Sequence, residues 1–138
     1  MIGKKIAELN IGDKANFEKT ITETDVYLYA GITGDLNPAH INQPAAEKSM
    51  FKGRIAHGML IAGLISTVLG MYLPGPGTIY LGQELKFLVP VRFGDTIKAE
   101  AEVLEKNEER NRIKLKTTCT NQEGVVVLEG IATVMPPK

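Results

Sequence analysis

Between Gly58 and Gln83 the sequence carries no Asp, Glu, Lys, Arg or His, and from Met59 to Leu73 it is almost wholly apolar. That run outlasts a usual strand, and its Ala, Leu and Met are strong helix formers, so a helix is expected. Met59, Leu60, Ile61, Leu64, Ile65, Val68 and Leu69 point in every direction around it. A helix that is apolar all round has to be buried all round. A membrane span needs about 20 such residues, and Pro74-Gly75-Pro76-Gly77 closes this run at fifteen. The expectation is a core helix that other parts of the chain must wrap, with no membrane role.

The C-terminal half supplies most of the wrapping. Thr78 to Val89, Thr96 to Glu105, Arg112 to Thr120 and Val125 to Val134 read as four strands, and Asn16 to Ile21 as an earlier one. The alternation is clearest where Ile113, Leu115, Thr117 and Cys119 interleave with Lys114, Lys116, Thr118 and Thr120. Asn107 to Asn111 and Asn121 to Gly124 are short hairpin-like links, which demand antiparallel pairing. The predicted class is α+β: a long central helix wrapped by a curved antiparallel sheet of about five strands. With 138 residues the chain suits one domain, 1–138. Val125 to Leu128 is apolar on both faces, so cover over part of the outer sheet or over an edge, most simply by a second subunit, is expected there.

Charge and cysteine content narrow the function. Sixteen basic against sixteen acidic residues give net charge zero, so no global field attracts nucleic acid. One cysteine forms no internal disulfide, and the N-terminal residues lack a secretory apolar core. A cytoplasmic location is the expectation.

Two motifs carry the chemistry. Thr22 with Asp25 forms a capping-box start, Val26, Tyr29 and Ala30 share a helical face, and Gly34 is a natural stop. A polar loop, Asp35 to Asn42, comes next, and then a helical turn with Pro44 near its start. Pro38 disfavours helical backbone at Asn37, so the loop bends and lets Asp35 and His40 converge. A carboxylate and an imidazole together can hold and deprotonate a water. The bland alternative is Asp35 as a cap and His40 in an ordinary hydrogen bond. The second motif is Ile55-Ala56-His57-Gly58-Met59, where Gly58 opens the apolar helix. A free helix N–H without a side chain over it suits an oxyanion. His57 is read as orienting its loop, not as the base.

Other chemistries recede. Two histidines and one cysteine without close spacing argue against zinc, and no cofactor is implied. Cys119 shares a strand face with Ile113 and Leu115 and reads as core. Gly75-Pro76-Gly77 lacks a phosphate-loop lysine and is a turn. Ser66 and Thr67 sit within the apolar helix, where back-bonding to the preceding turn is the common fate, though one could face a site.

Tyr29 to His40 together with Gly53-Arg54-Ile55-Ala56-His57-Gly58-Met59-Leu60 resembles the MaoC-like hot-dog hydratases, especially the (R)-specific enoyl-CoA hydratases. The resemblance runs over roughly Ile11 to Pro136, with both motifs in order. It implies a hot-dog fold and an obligate homodimer, open to further assembly, acting on an acyl-CoA thioester. By the same resemblance Asp35 and His40 are the catalytic pair and Gly58 the donor to the thioester carbonyl. Ser66 then supports the site and Leu69 lines the acyl pocket; apart from the resemblance, Asn37, His57 and Arg54 are also expected among the substrate-binding residues. Ala39 departs from the larger aliphatic residue of many relatives, which bears on chain length. Which of Asp35 and His40 acts as base stays open.

Three alternatives compete with a hydratase: an acyl-carrier-protein dehydratase, a hot-dog thioesterase and a non-catalytic acyl-CoA-binding module. The absence of a carboxylate between Gly58 and Leu73 speaks against the thioesterase. Lys52, Arg54, Lys86 and Arg92 are the cations expected to meet CoA phosphates.

Overall fold

The computed structural model describes residues 1–138. A short 3-10 turn at Ile6–Glu8 precedes β1 (Lys14–Thr20), α1 (Glu23–Thr33), α2 (Pro38–Ile41) and α3 (Gln43–Glu47). Then come α4 (Gly58–Met71), β2 (Ile79–Phe87), β3 (Thr96–Asn107), β4 (Arg112–Thr120) and β5 (Val126–Met135). The five strands form one antiparallel sheet in the order β1-β3-β4-β5-β2. No helix is long and apolar enough to cross a membrane.

Alternation decides which face of the sheet receives α4. Ile97, Ala99, Ala101 and Val103 of β3 and Ile113, Leu115 and Cys119 of β4 are buried, while Lys98, Glu100, Lys114 and Lys116 point away. Alanines at 99, 101 and 132 keep the inner surface low, so Ile61, Ile65, Val68 and Leu69 of α4 can reach it. Burying each such Ile, Leu or Val side chain contributes about 1.5–3 kcal/mol, so this contact dominates the core.

The wrapping is incomplete within one chain. Met59, Gly63, Ser66 and Met71 of α4 remain exposed, where the sequence led us to expect burial on every side. Of the two placements open for the apolar run ending at Leu128, the structure takes the one within the sheet. Val127 and Leu128 are buried because β5 lies inside the sheet between β4 and β2. The apolar edge is β2 instead, with Ile79, Tyr80 and Leu81 exposed, whereas the opposite edge, β1, carries Lys14, Glu18 and Lys19. Charged edges resist further pairing and apolar ones invite it.

α1 starts as its sequence predicts. The Thr22 hydroxyl accepts from the Asp25 N–H at 3.1 Å, and Asp25 accepts from the Thr22 N–H at 3.0 Å. Gly34 ends the helix in the left-handed region at φ +78°, where glycine suffers no side-chain clash. That turn delivers the chain into Asp35.

Candidate active site

Asp35 comes directly after the Gly34 stop, and its Oδ1 accepts from the Asn37 N–H at 3.3 Å. Asn37 is extended at φ −51°, ψ 127°, as the following proline requires. Its own Oδ1 accepts from the Ala39 N–H at 3.1 Å and caps α2. The expected loop is thus interrupted by one helical turn, Pro38–Ile41, because Pro38 is preorganised for a first helical position. This turn carries His40 back toward Asp35. A carboxylate oxygen of Asp35 and ring nitrogens of His40 and His57 lie within 4.8 Å of one another.

Two backbone carbonyls orient the two imidazoles. His40 donates Nδ1–H to the Ile55 carbonyl at 2.7 Å, a carbonyl being able only to accept. Nε2 is therefore the free position of the His40 ring. His57 donates Nε2–H to the Asp35 carbonyl at 2.9 Å and so anchors the Asp35 segment. The two rings stack, with centroids 3.9 Å apart and planes tilted by 31°, and Tyr29 packs on His57 at 4.7 Å. His57 Nδ1 is buried without a partner.

Gly58 is the first residue of α4, and its N–H makes none of the chain's hydrogen bonds. It lines a cavity of about 620 Å³ together with Asp35, His40 and His57. Met50, Phe51, Met59, Phe87, Leu88 and Val89 supply an apolar wall. A Cβ on Gly58 would stand 2.6 Å from the Phe87 ring, so any larger residue here must displace that ring or the start of α4. A free helical N–H, a carboxylate and an unblocked imidazole nitrogen therefore share one largely apolar cavity.

Most of the other residues expected at the site do not line this cavity. Asn37 is engaged as the α2 cap. Ser66 is exposed on the open stripe of α4, and Leu69, 1% exposed, is packed into the core; neither lines the cavity in this chain. Every arm of the Arg54 guanidinium is taken: Nε by Gln43 at 3.2 Å, one terminal nitrogen by Tyr27 at 2.7 Å, the other by Glu23 at 3.0 Å. Burial works against the Arg54 charge, but the bonds to Tyr27 and Glu23 outweigh it and raise its pKa. The same Tyr27 and Arg54 donors hold Glu23 below the ordinary carboxylate range. Arg92 reaches the cavity wall but binds the carbonyls of Phe51, Gly53 and Arg54. Of the four cations expected at CoA phosphates, Lys52 and Lys86 are the exposed pair without such ties.

The Asp35, His40 and His57 cluster has the composition of a metal site but not its geometry. An imidazole binds a metal along its ring plane at about 2 Å. Two stacked planes tilted by 31° do not meet at that distance from both rings.

Sequence reasoning missed the His40–Ile55 bond, the His40–His57 stack and the Phe87 ring over Gly58. The first has a carbonyl as acceptor, and the others join residues 17 and 29 positions apart; no local pattern signals them.

A MaoC-like domain model matches residues 7–125. The chain is 52% identical over 130 residues to an (R)-specific enoyl-CoA hydratase of Rhodospirillum rubrum, covering 94% of this chain and 90% of that one. It is 46% identical to a 3-hydroxybutyryl-CoA dehydratase of Methylorubrum extorquens, covering 95% and 83%. Among solved structures, the unliganded R-hydratase of Pseudomonas aeruginosa superposes with a TM-score of 0.92 at 47% identity, covering 99% of this chain and 87% of that one. The fold is the hot-dog fold.

Proposed function

The chain belongs to the MaoC-like domain family and is a hydro-lyase, an (R)-specific enoyl-CoA hydratase, and we propose that Asp35, His40 and Gly58 carry its chemistry. The observation that carries the reading is the unpartnered Gly58 N–H in one cavity with Asp35 and His40.

The reaction adds water reversibly across a trans-2-enoyl thioester. A water held between the Asp35 carboxylate and His40 Nε2 donates to both. Its oxygen bonds to C3 as one of the pair takes a proton, and the C2–C3 π electrons move toward the thioester carbonyl. The Gly58 N–H meets the enolate-like oxygen, aided by the positive end of α4. The same proton then returns to C2 as the carbonyl re-forms. Both polar side chains start as acceptors, so the proton that C2 receives is one the water supplied. The net addition is one water, giving the (R)-3-hydroxyacyl-CoA.

The partner is an acyl-CoA thioester, and the working unit is a homodimer. The apolar β2 edge and the open face of α4 support that assembly. The location is cytoplasmic. Loss of the conjugated-thioester absorbance with C4 to C12 enoyl-CoA substrates, with chiral analysis of the product, tests the reading. An S-configured product, or turnover only on carrier-protein thioesters, contradicts it.

A further inference from the structure

The charge at Arg54 is engaged within the fold. Its guanidinium is bound on one side to Glu23 and Tyr27, both on α1, the helix that ends just before Asp35. On another side its Nε and its backbone N–H reach the Gln43 side chain at 3.2 and 3.3 Å, at the start of the helix after His40. Beneath it the Phe93 ring lies 4.8 Å from the guanidinium carbon, within cation–π range. The next residue, Ile55, receives the His40 Nδ1–H on its carbonyl and donates its own N–H to Ala39 at 3.1 Å. One side chain thus joins the element before Asp35, the element after His40 and the segment that orients His40.

Resting on the hydratase reading above, we propose that Arg54 is a positioning residue that holds the Ile55 carbonyl, and through it the His40 tautomer, in register with Asp35. Each of the three guanidinium nitrogens is already bonded within the fold, so on this proposal the first effect of its substitution falls on geometry and not on phosphate binding. Misplacement of a reacting group by about 1 Å can lower turnover about a hundredfold, so the effect belongs in kcat.

The test compares Arg54→Gln and Arg54→Lys on crotonyl-CoA and on crotonyl N-acetylcysteamine, a thioester without the nucleotide phosphates. The expected result is a kcat lowered about ten- to a hundredfold on both thioesters by Arg54→Gln, partial recovery in Arg54→Lys, and a nearly unchanged KM for crotonyl-CoA. A raised KM for crotonyl-CoA alone, with kcat intact and no effect on the short thioester, makes Arg54 a phosphate contact and overturns the proposal. Should Arg54→Gln fail to fold, the double variant Glu23→Gln, Tyr27→Phe removes the α1 anchors and should lower kcat likewise; an unchanged kcat there overturns it too. Imidazole 1H–15N spectra read the link without turnover. His40 should be an Nδ1–H tautomer in the parent and a mixture in the variant, and an unchanged tautomer counts against the proposal. A parent protein that binds but never hydrates crotonyl-CoA would remove the hydratase reading and leave this spectroscopic arm to decide the role of Arg54.

Discussion

The Nδ1–H of His40 meets the carbonyl of Ile55 at 2.7 Å, and this one bond determines which ring nitrogen faces the cavity. A histidine free to choose its tautomer would present a donor in part of the population and an acceptor in the rest. Here the backbone makes the choice, and Nε2 is the ring nitrogen left without a partner in the fold. His57, stacked on the same ring, plays the matching part for Asp35 by holding its carbonyl at 2.9 Å.

At Gly58 two requirements coincide. Alanine keeps the N–H but drives a Cβ to 2.6 Å from the Phe87 ring. Overpacking of this kind costs about 1–3 kcal/mol. Where α4 shifts to relieve the contact, the N–H is displaced, and Gly58→Ala should lower kcat on crotonyl-CoA by about ten- to a hundredfold. Adding Phe87→Ala should restore part of the loss, because the donor itself is intact. Steady-state kinetics on the single and double variants check this, and a double variant no better than the single one counts against the steric account.

Burial pushes the Cys119 thiol up to about 12. In the unfolded chain the same thiol releases its proton near ~8.5. Below that pH its contribution to stability is complete. As the pH rises from there toward 12, the unfolded state binds fewer protons than the folded one and stability declines. The native protein should therefore leave a thiol reagent unreacted at pH 8 and react fully in denaturant, and Cys119→Ala should leave hydration unchanged. Rapid labelling of the native thiol would contradict its placement in the core.

The β2 edge predicts assembly. Ile79 and Leu81 are 53% and 46% exposed on a strand with no neighbour on its outer side. Light scattering should give twice the chain mass of 15.0 kDa, and Ile79→Glu with Leu81→Glu should shift it toward one chain. A parent protein that runs as a monomer at micromolar concentration contradicts the assignment of this edge.

Features built from local interactions were the ones the sequence disclosed. The start of α1 is written in Thr22 and Asp25, three residues apart, and β4 in the alternation from Ile113 to Cys119. The pairing of Asp35 with His40 was legible because Pro38 constrains the few residues between them. The ties of Arg54 were not legible because a sequence shows its charge but not its bonds to Glu23 and Tyr27, which lie 31 and 27 positions earlier. Whether Val125–Leu128 lay at an edge or within the sheet was not legible because strand order is a tertiary property. β2 is the second strand in the chain yet lies outermost, beside the last.

The most direct measurement is the hydration rate of crotonyl-CoA by Asp35→Asn, made on protein whose circular dichroism and oligomeric mass match the parent. Asparagine preserves the shape and the acceptor for the Asn37 N–H, and removes the carboxylate charge. Loss of a positioned acid–base group lowers turnover about 10²–10⁴-fold. That loss, in a folded dimer that still binds the thioester, is the predicted result. Turnover within a few-fold of the parent would show that residue 35 takes no part in moving the proton, and the account of this cavity would be wrong.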